Sequence, residues 1–410
     1  MKNRVKTCAS VDLGTTKVSA MIAEMIEGRP RVIGVGTAPS AGMKQGVVVD
    51  IPRAAGAIRS AVRESERMAG VSVAECRVGA AGEHIRSMNS RGVVAIADID
   101  EEITGDDVIR ALAASRKFSL PYDREIIHTL PQEYIVDKQR GIRQPAGMYG
   151  ARLEARVHVV TASRPALDNV AKAFELARVP MGELVLEPLA SARSVLTDDE
   201  REMGCMLLDI GGGTTDVMVY VDGGVVASGV IGIGGNDVTG DVAYGLRTSH
   251  AQAEEIKIRF GGAVYPAGDA DELIEVVTTG NAGRRRVARH LLAGIIEPRV
   301  TELFALIDRQ LTGSGLKQRI GGGVVLTGGS SMLRGICDVA EQVFDLPARI
   351  GHPVEVDGLA EIVGHPRFAT GVGLLHDHRV EPDEFPRPAI LARRWLHSLN
   401  QLKRAIASFI

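Results

Sequence analysis

One pattern occurs twice in this chain, and it constrains the fold more than any other feature. Residues 8–18 read as an apolar strand ending in Asp12, followed by the turn Leu-Gly14-Thr15-Thr16-Lys17. Residues 205–217 read as a second apolar strand ending in Asp209, followed by Ile-Gly211-Gly212-Gly213-Thr214-Thr215. Each copy continues into two more apolar runs separated by a Gly-containing turn: 18–26 and 31–36 after the first, 217–221 and 225–230 after the second. Apolar runs of this length bounded by Gly, Asp and Pro are strand signals. Each half of the chain therefore opens as a three-strand meander with a polar turn between strands one and two.

Such a turn suits a nucleotide phosphate. Glycine lets backbone N–H groups approach phosphate oxygens with no Cβ in the way. Threonine hydroxyls add donors, and an Asp at the strand end can hold Mg²⁺ directly or through water. Two such turns facing each other would clamp a phosphate tail from both sides. A third signal lies at 323–327, a short apolar strand followed by Gly328-Gly329-Ser330-Ser331 and then a stretch, 332–344, that reads as a helix. A Gly-Gly turn before a helix gives close approach to a flat ligand such as a nucleoside.

In this order, the three motifs resemble the phosphate-1, phosphate-2 and adenosine motifs of the superfamily that holds actin, sugar kinases and heat-shock chaperone ATPases. The resemblance implies an α/β, two-lobed, duplicated ribonuclease H-like fold with ATP and Mg²⁺ between the lobes. It places Asp12 and Asp209 near the metal, directly or through water, and Gly14, Thr15, Thr16, Lys17, Gly211, Gly212, Gly213, Thr214 and Thr215 around the phosphates. Gly235 and Asn236 would approach the ribose and phosphate side, and Gly328, Gly329 and Ser330 would line the nucleoside. Glu254 and Lys257 lie three apart on a helix expected over 249–260, capped by Ser249 with Gln252 and stopped by Gly261. Similar helices contact adenosine. Glu187, in Glu187-Pro188-Leu-Ala-Ser-Ala, matches a strand-to-helix phrase whose Glu lies near the attacking water, so it is the candidate for positioning water in ATP hydrolysis.

Within that superfamily the chain most resembles the FtsA family of bacterial cell-division proteins. Residues 83–160 interrupt the first half with strands and a helix capped by Thr104 and Asp107. The phrases Pro131-Gln132-Glu133-Tyr134-Ile135-Val136-Asp137 and Gly147-Met148-Tyr-Gly150-Ala-Arg152-Leu153-Glu154 are similar to the inserted (SHS2-like) subdomain 1C of that family, which mediates self-association into filaments and contacts with later division proteins. The second half carries Arg284, Arg285, Arg286, Arg289 and Arg299, where the family binds the C-terminal tail of FtsZ; arginines beside a helix groove suit a carboxylate-bearing peptide.

The last stretch reads on its own terms. Residues 380–389 hold Pro382, Pro386 and Pro388 and read as a linker. Residues 390–410 contain no acid and carry Arg393, Arg394, Lys403 and Arg404. Trp395, Leu399, Leu402, Ile406 and Phe409 recur at alternating four and three spacing, with Leu396 bordering the stripe. A basic amphipathic helix with Trp and Phe on one face suits an anionic lipid surface.

The resemblance thus implies lobe 1A at 1–82, 161–194 and 368–379, the insert at 83–160, and lobe 2A/2B at 195–367 with 2B near 235–315. It implies a peripheral protein on the cytoplasmic side of the plasma membrane at the septum, tethering FtsZ filaments, with ATP acting mainly as a filament switch and hydrolysed slowly at most. A PilM-like assembly protein and a sugar kinase are the alternatives, neither expected to carry such a tail. A chaperone would place a peptide-binding domain after the ATPase motifs, where only the linker and the amphipathic stretch follow. Composition narrows the classes further. The net charge of −3 gives no whole-chain attraction to nucleic acid. Cys8, Cys76, Cys205 and Cys337 are too dispersed for a zinc site or a disulfide framework. No uncharged run is long enough to span a bilayer, and no apolar leader follows Met1.

Overall fold

The computed structural model describes residues 6–96, 102–264, 272–278 and 283–376. The expected linker at 380–389 and the amphipathic stretch with Trp395, Leu396, Leu399, Leu402, Ile406 and Phe409 lie outside the described residues.

Both repeats form meanders. Strand Thr7–Leu13 pairs antiparallel with Lys17–Ile26, which pairs antiparallel with Arg29–Pro39. In the second copy Cys205–Ile210 pairs antiparallel with Thr215–Val221, and that strand with Gly224–Ile231. Parallel strands then extend each sheet beyond its first strand: Cys76–Ala80 and Met181–Leu186 in one, Val324–Thr327 and Ala348–Ile350 in the other. The five-strand order is therefore the same in both lobes, a duplication visible in the topology. Strand Cys205–Ile210 is buried along its whole length, as a continuous apolar run in a sheet covered on both faces must be.

Helix Ile51–Ala69 covers the first sheet. Asp50 caps it by accepting from the Arg53 N–H, and Gly70 closes it in the left-handed conformation. Its buried Ala54, Ile58, Ala61 and Val62 recur at helical spacing and meet Val11, Val18 and Phe174. The long helix Arg289–Gly313 covers the second sheet with Leu292, Ile296, Val300, Leu303, Ile307 and Leu311. Leu207, Met218 and Tyr220 of the second sheet belong to the first core, so the lobes share packed apolar surface.

The inserted subdomain is a four-stranded sheet in the order Arg86–Ala95, Arg152–Ser163, Arg124–Val136, Gln139–Ile142, with helix Gly105–Ser115 on one face. The Thr104–Asp107 capping box closes as the sequence suggests. Pro131 reads in sequence as a break between two short strands; the structure runs one strand from Arg124 to Val136 straight through it. The reason is a bulge. Arg156 pairs with Glu133 and Val157 with Pro131, so Gln132 is skipped and the ladder is already irregular where the Pro N–H is missing. A second bulge skips Ile127, between the Val160–His128 and Thr161–Ile126 pairs.

This insert leaves the first lobe yet is fastened to the second. Gly224–Ile231 is the outer strand of the second sheet, and side chains of the insert satisfy its open edge. Ser87 Oγ donates to Ser228 O at 2.7 Å, Asn89 Nδ2 to Val226 O at 3.0 Å and Gln132 Nε2 to Val225 O at 2.8 Å. Buried His158 bridges Asn89 Oδ1 and Ser228 Oγ at 2.7 and 2.8 Å. Capping by side chains rather than by another strand closes the edge without extending the sheet.

One expected helix starts late. Residues 332–344 read as a helix, but Gly329–Met332 is a 3-10 turn and the α-helix runs Ile336–Phe344. Leu333 is extended and Gly335 has φ of 71°, a break that sequence periodicity does not reveal. After it the chain returns to the first lobe, where Ser10 and Ser194 donate to the Gly371 and Ala369 carbonyls, each at 2.8 Å.

Candidate nucleotide-binding site

The two Gly/Thr turns and the Gly328 turn converge on one cleft of about 530 Å³ between the lobes. The turns nearly touch: a Cβ on Gly213 would lie 2.8 Å from Thr15 side-chain atoms, and one on Gly212 would collide with Thr16. Glycine is required there because each lobe's turn occupies the space a side chain would need.

Asp12 and Asp209 stand at equivalent places behind the turns. Asp12 pairs with Ser19 across its meander and Asp209 with Asp216. The Asp12 carboxylate accepts from Ser19 Oγ at 3.3 Å. The Asp209 carboxylate accepts from Ser191 and, at 3.0 Å, from Thr370, both reaching over from the first lobe's side of the cleft. Burial raises the Asp12 pKa to about 6 against the pull of Lys17, with the Asp209 charge adding to the rise. Burial also raises Asp209, opposed by the Ser191 and Thr370 hydrogen bonds. Burial, then the Asp209 charge, pushes Asp216 well above the ordinary carboxylate range, and its Oδ1 is buried without a hydrogen-bond partner. Lys17 donates to the Arg367 carbonyl at 2.8 Å and lies 3.7 Å above the Phe368 ring centre. Its own burial lowers its pKa to about 8.

Of the residues singled out in sequence, Gly14, Thr15, Thr16 and Lys17 line the cleft on one side, and Gly211, Gly212 and Thr214 on the other. Asn236, Glu254, Lys257, Gly328, Gly329 and Ser330 line its far end. Gly213, Thr215 and Gly235 are not on the wall. Gly213 packs behind Thr15, Thr215 donates inward to the Ile233 carbonyl at 2.8 Å, and Gly235 lies under Ser330 and Lys257. Helix His250–Phe260 is capped by Ser249, which accepts from the Gln252 N–H. Its buried Lys257 donates to Gly235 O and Thr239 Oγ1 and pairs with Glu254 at 2.7 Å.

Sequence reasoning missed several wall residues. Asp216 closes the second motif and was within reach, since it lies one residue past the Thr pair. Gly46, His365, Arg367 and Thr370 also line the cleft. They arrive from distant segments and carry no local signal.

Glu187 opens helix Glu187–Val195 and also faces the cleft. Burial, then the charges of Asp12, Asp216 and Asp209, hold its carboxyl well above the usual range. Its side chain fills the space over Gly79, where an added Cβ would lie 2.8 Å from the Glu187 Cγ.

The arginines of the second lobe are largely engaged within their own surroundings. Arg289 is buried and paired with Glu272, Arg299 grips Asp241 with two nitrogens at 2.7 and 3.0 Å, and Arg284 pairs with Glu275 at 2.7 Å. Exposed Tyr244, Leu273, Val277 and Leu291 accompany them. No helix among the described residues is long and apolar enough to cross a membrane.

Comparison with known proteins decides the family. Residues 206–373 match the family described as Cell division protein FtsA, and residues 82–161 match the SHS2 domain inserted in FTSA. The Cell division protein FtsA of Pseudomonas aeruginosa is 44% identical over 90% of this chain and 88% of its own length. That of Neisseria meningitidis is 41% identical over 95% and 94%, and that of Escherichia coli K12 37% over 90% and 90%. This chain belongs to the FtsA family. Among solved structures, the FtsA-family chain is similar to the PilM-PilN type IV pilus biogenesis complex, with a TM-score of 0.65 at 18% identity over 92% of this chain and 99% of that one. It is also similar to MreB5 of Spiroplasma citri bound to ADP, with a TM-score of 0.54 at 16% identity over 90% and 94%. At these identities the likeness is one of fold, and it identifies the two lobes as an actin-like fold carrying an FtsA-type insert.

Proposed function

We propose that this FtsA-family protein binds ATP with Mg²⁺ between its lobes, polymerises, and tethers FtsZ filaments to the inner face of the cytoplasmic membrane at the division septum. One observation carries the nucleotide part. Two Gly/Thr turns, one from each lobe, meet across a cleft with a buried aspartate behind each. Backbone N–H groups, Thr15, Thr16, Thr214 and Lys17 would hold the phosphates, and the Gly328–Ser330 turn with Glu254 and Lys257 would hold the nucleoside.

The carboxylates fit a hard divalent cation. Burial raises the pKa of Asp12, Asp209 and Asp216, so each is disfavoured as an anion until a cation neutralises it. Among the described residues no three ligands are gathered closely enough to hold a metal by themselves. That suits Mg²⁺, which is held by one or two carboxylates plus substrate phosphates. When bound, the ion would neutralise phosphate charge. Glu187 faces the same space and would position the attacking water. The role of ATP is mainly that of a filament switch, with slow turnover at most.

The remaining roles follow the family. The insert, 83–160, would carry a head-to-tail filament contact, a heterologous interface that does not close on itself. Exposed apolar residues beside the arginines of 284–299 would receive the FtsZ tail. The apolar stripe of 390–410 would bind lipid, its Arg393, Arg394, Lys403 and Arg404 each adding on the order of 1 kcal/mol on an anionic surface.

Vesicle flotation tests the tether. FtsZ should float with anionic vesicles only when this protein is present, and Trp395→Glu should abolish flotation of both while leaving ATP binding intact. Equal flotation of wild type and Trp395→Glu would remove the stripe as the anchor. Flotation of this protein without FtsZ would remove the tether.

A further inference from the structure

The inserted subdomain reaches the candidate catalytic carboxylate through one buried hydrogen bond. Strand Met181–Leu186 runs directly into helix Glu187–Val195, so the backbone at Leu186, one residue ahead, sets where the Glu187 side chain starts. The Leu186 N–H donates to Nε2 of His128 at 3.0 Å, and both residues are buried. His128 belongs to strand Arg124–Val136 of the insert, not to either lobe of the ATPase body.

Local geometry aims that ring. The bulge that skips Ile127 lies immediately before His128, and bulges beside active sites re-aim side chains. Ile127 and Leu130 flank the histidine in the first-lobe core, so the insert's strand is anchored where the ring projects. Burial, with the Arg116 charge second, lowers the His128 pKa to about 4. The ring is therefore neutral. Because Nε2 accepts, the proton is on Nδ1. The Glu187 side chain itself lies over Gly79, where an added Cβ would be 2.8 Å from its Cγ.

We propose that His128 is a positioning residue for Glu187: by holding the Leu186 N–H it sets the carboxylate against the phosphate end of the cleft, and so makes the hydrolytic geometry depend on the inserted subdomain. This rests on the reading of Glu187 as the water-positioning group. The consequence is directional. A contact that shifts the insert shifts the Val185–Leu186 peptide and the backbone that leads into Glu187, whereas the insert's hydrogen bonds to Gly224–Ile231 end on the outer strand of the second sheet, one strand removed from the second phosphate-binding turn. Turnover, rather than nucleotide affinity, is the quantity the insert controls.

The test is Mg·ATP hydrolysis under single- and multiple-turnover conditions with wild type, Glu187→Gln, His128→Leu and His128→Gln. Glu187→Gln should abolish turnover. His128→Leu keeps volume but loses the acceptor, and should lower kcat about 10-fold or more, since small misplacements of a reacting group are that costly, with KM unchanged. His128→Gln places an amide oxygen near the Nε2 position and should recover most of the rate. Equal losses in the two His128 variants would make the residue mere packing and overturn the proposal, as would unchanged kcat in His128→Leu or a rise in KM equal to the fall in kcat/KM. Should His128→Leu fail to fold, His128→Asn takes its place, because its shorter amide cannot reach Leu186. Turnover that survives in Glu187→Gln, or none in the wild type, overturns the Glu187 reading itself. Loss in Glu187→Gln with normal His128→Leu overturns only the tie.

Discussion

Single residues carry both the chemistry and a pH signature. His128 and His158 are buried neutral in the insert, and burial lowers each pKa to about 4 from 6.5. A histidine with a depressed folded pKa favours folding fully above its unfolded pKa. That contribution is lost as pH falls from 6.5 toward 4, because the unfolded chain takes up protons the native state refuses. At pH 5 each ring should cost about 2 kcal/mol relative to pH 7.5. Urea unfolding at the two pH values, with wild type and His158→Gln, measures this. The variant should lose less stability than wild type on acidification, and parallel losses would contradict the assignment. At this scale the sequence was most legible where the motif was local: Asp12, Thr15, Asp209 and Thr214 lie within a few residues of one another in each repeat and all line one cleft. It was least legible where a side chain arrives from far along the chain. Thr370 on Asp209 and His128 on Leu186 are contacts across 161 and 58 residues, and neither position differs locally from an ordinary polar or buried residue.

Elements show the same division. The capped helices at 104–115 and 249–260 could be read because their caps are written within four residues. The single strand through Pro131 could not, because the bulge that tolerates the proline is defined by its partner strand. The same bulge frees Gln132 to reach Val225 O and Asn89 Oδ1, so an irregularity of the insert serves its attachment to the second lobe. Each such hydrogen bond contributes about 1 kcal/mol, and Asn89→Ala with Gln132→Ala removes several together. The double variant should speed amide hydrogen exchange in Gly224–Ile231 at least several-fold while leaving exchange in Cys205–Ile210 unchanged. Unchanged exchange in both strands would show that the insert is held by other contacts.

For the whole molecule, duplication explains the site. Two meanders with one strand order bring two equivalent turns together, and the shared core around Leu207, Met218 and Tyr220 keeps the lobes in register. The repeat was visible in sequence because both copies keep the Asp-x-Gly and Thr-Thr elements; the return of Ala369–Gly373 to the first lobe was implied only by the family resemblance, since a short Gly-rich helix has no periodicity to read. Paired turns that bind Mg·ATP make Asp209 contribute through the cation. Isothermal titration of wild type and Asp209→Asn with ATP, with and without Mg²⁺, is the most direct measurement. One site per chain is expected in the wild type, tightened by Mg²⁺, and an affinity at least about 10-fold weaker with no Mg²⁺ dependence in Asp209→Asn, a loss of roughly 1.4 kcal/mol or more. Absence of ATP binding in the wild type, or the same Mg²⁺-dependent affinity in both proteins, would contradict it.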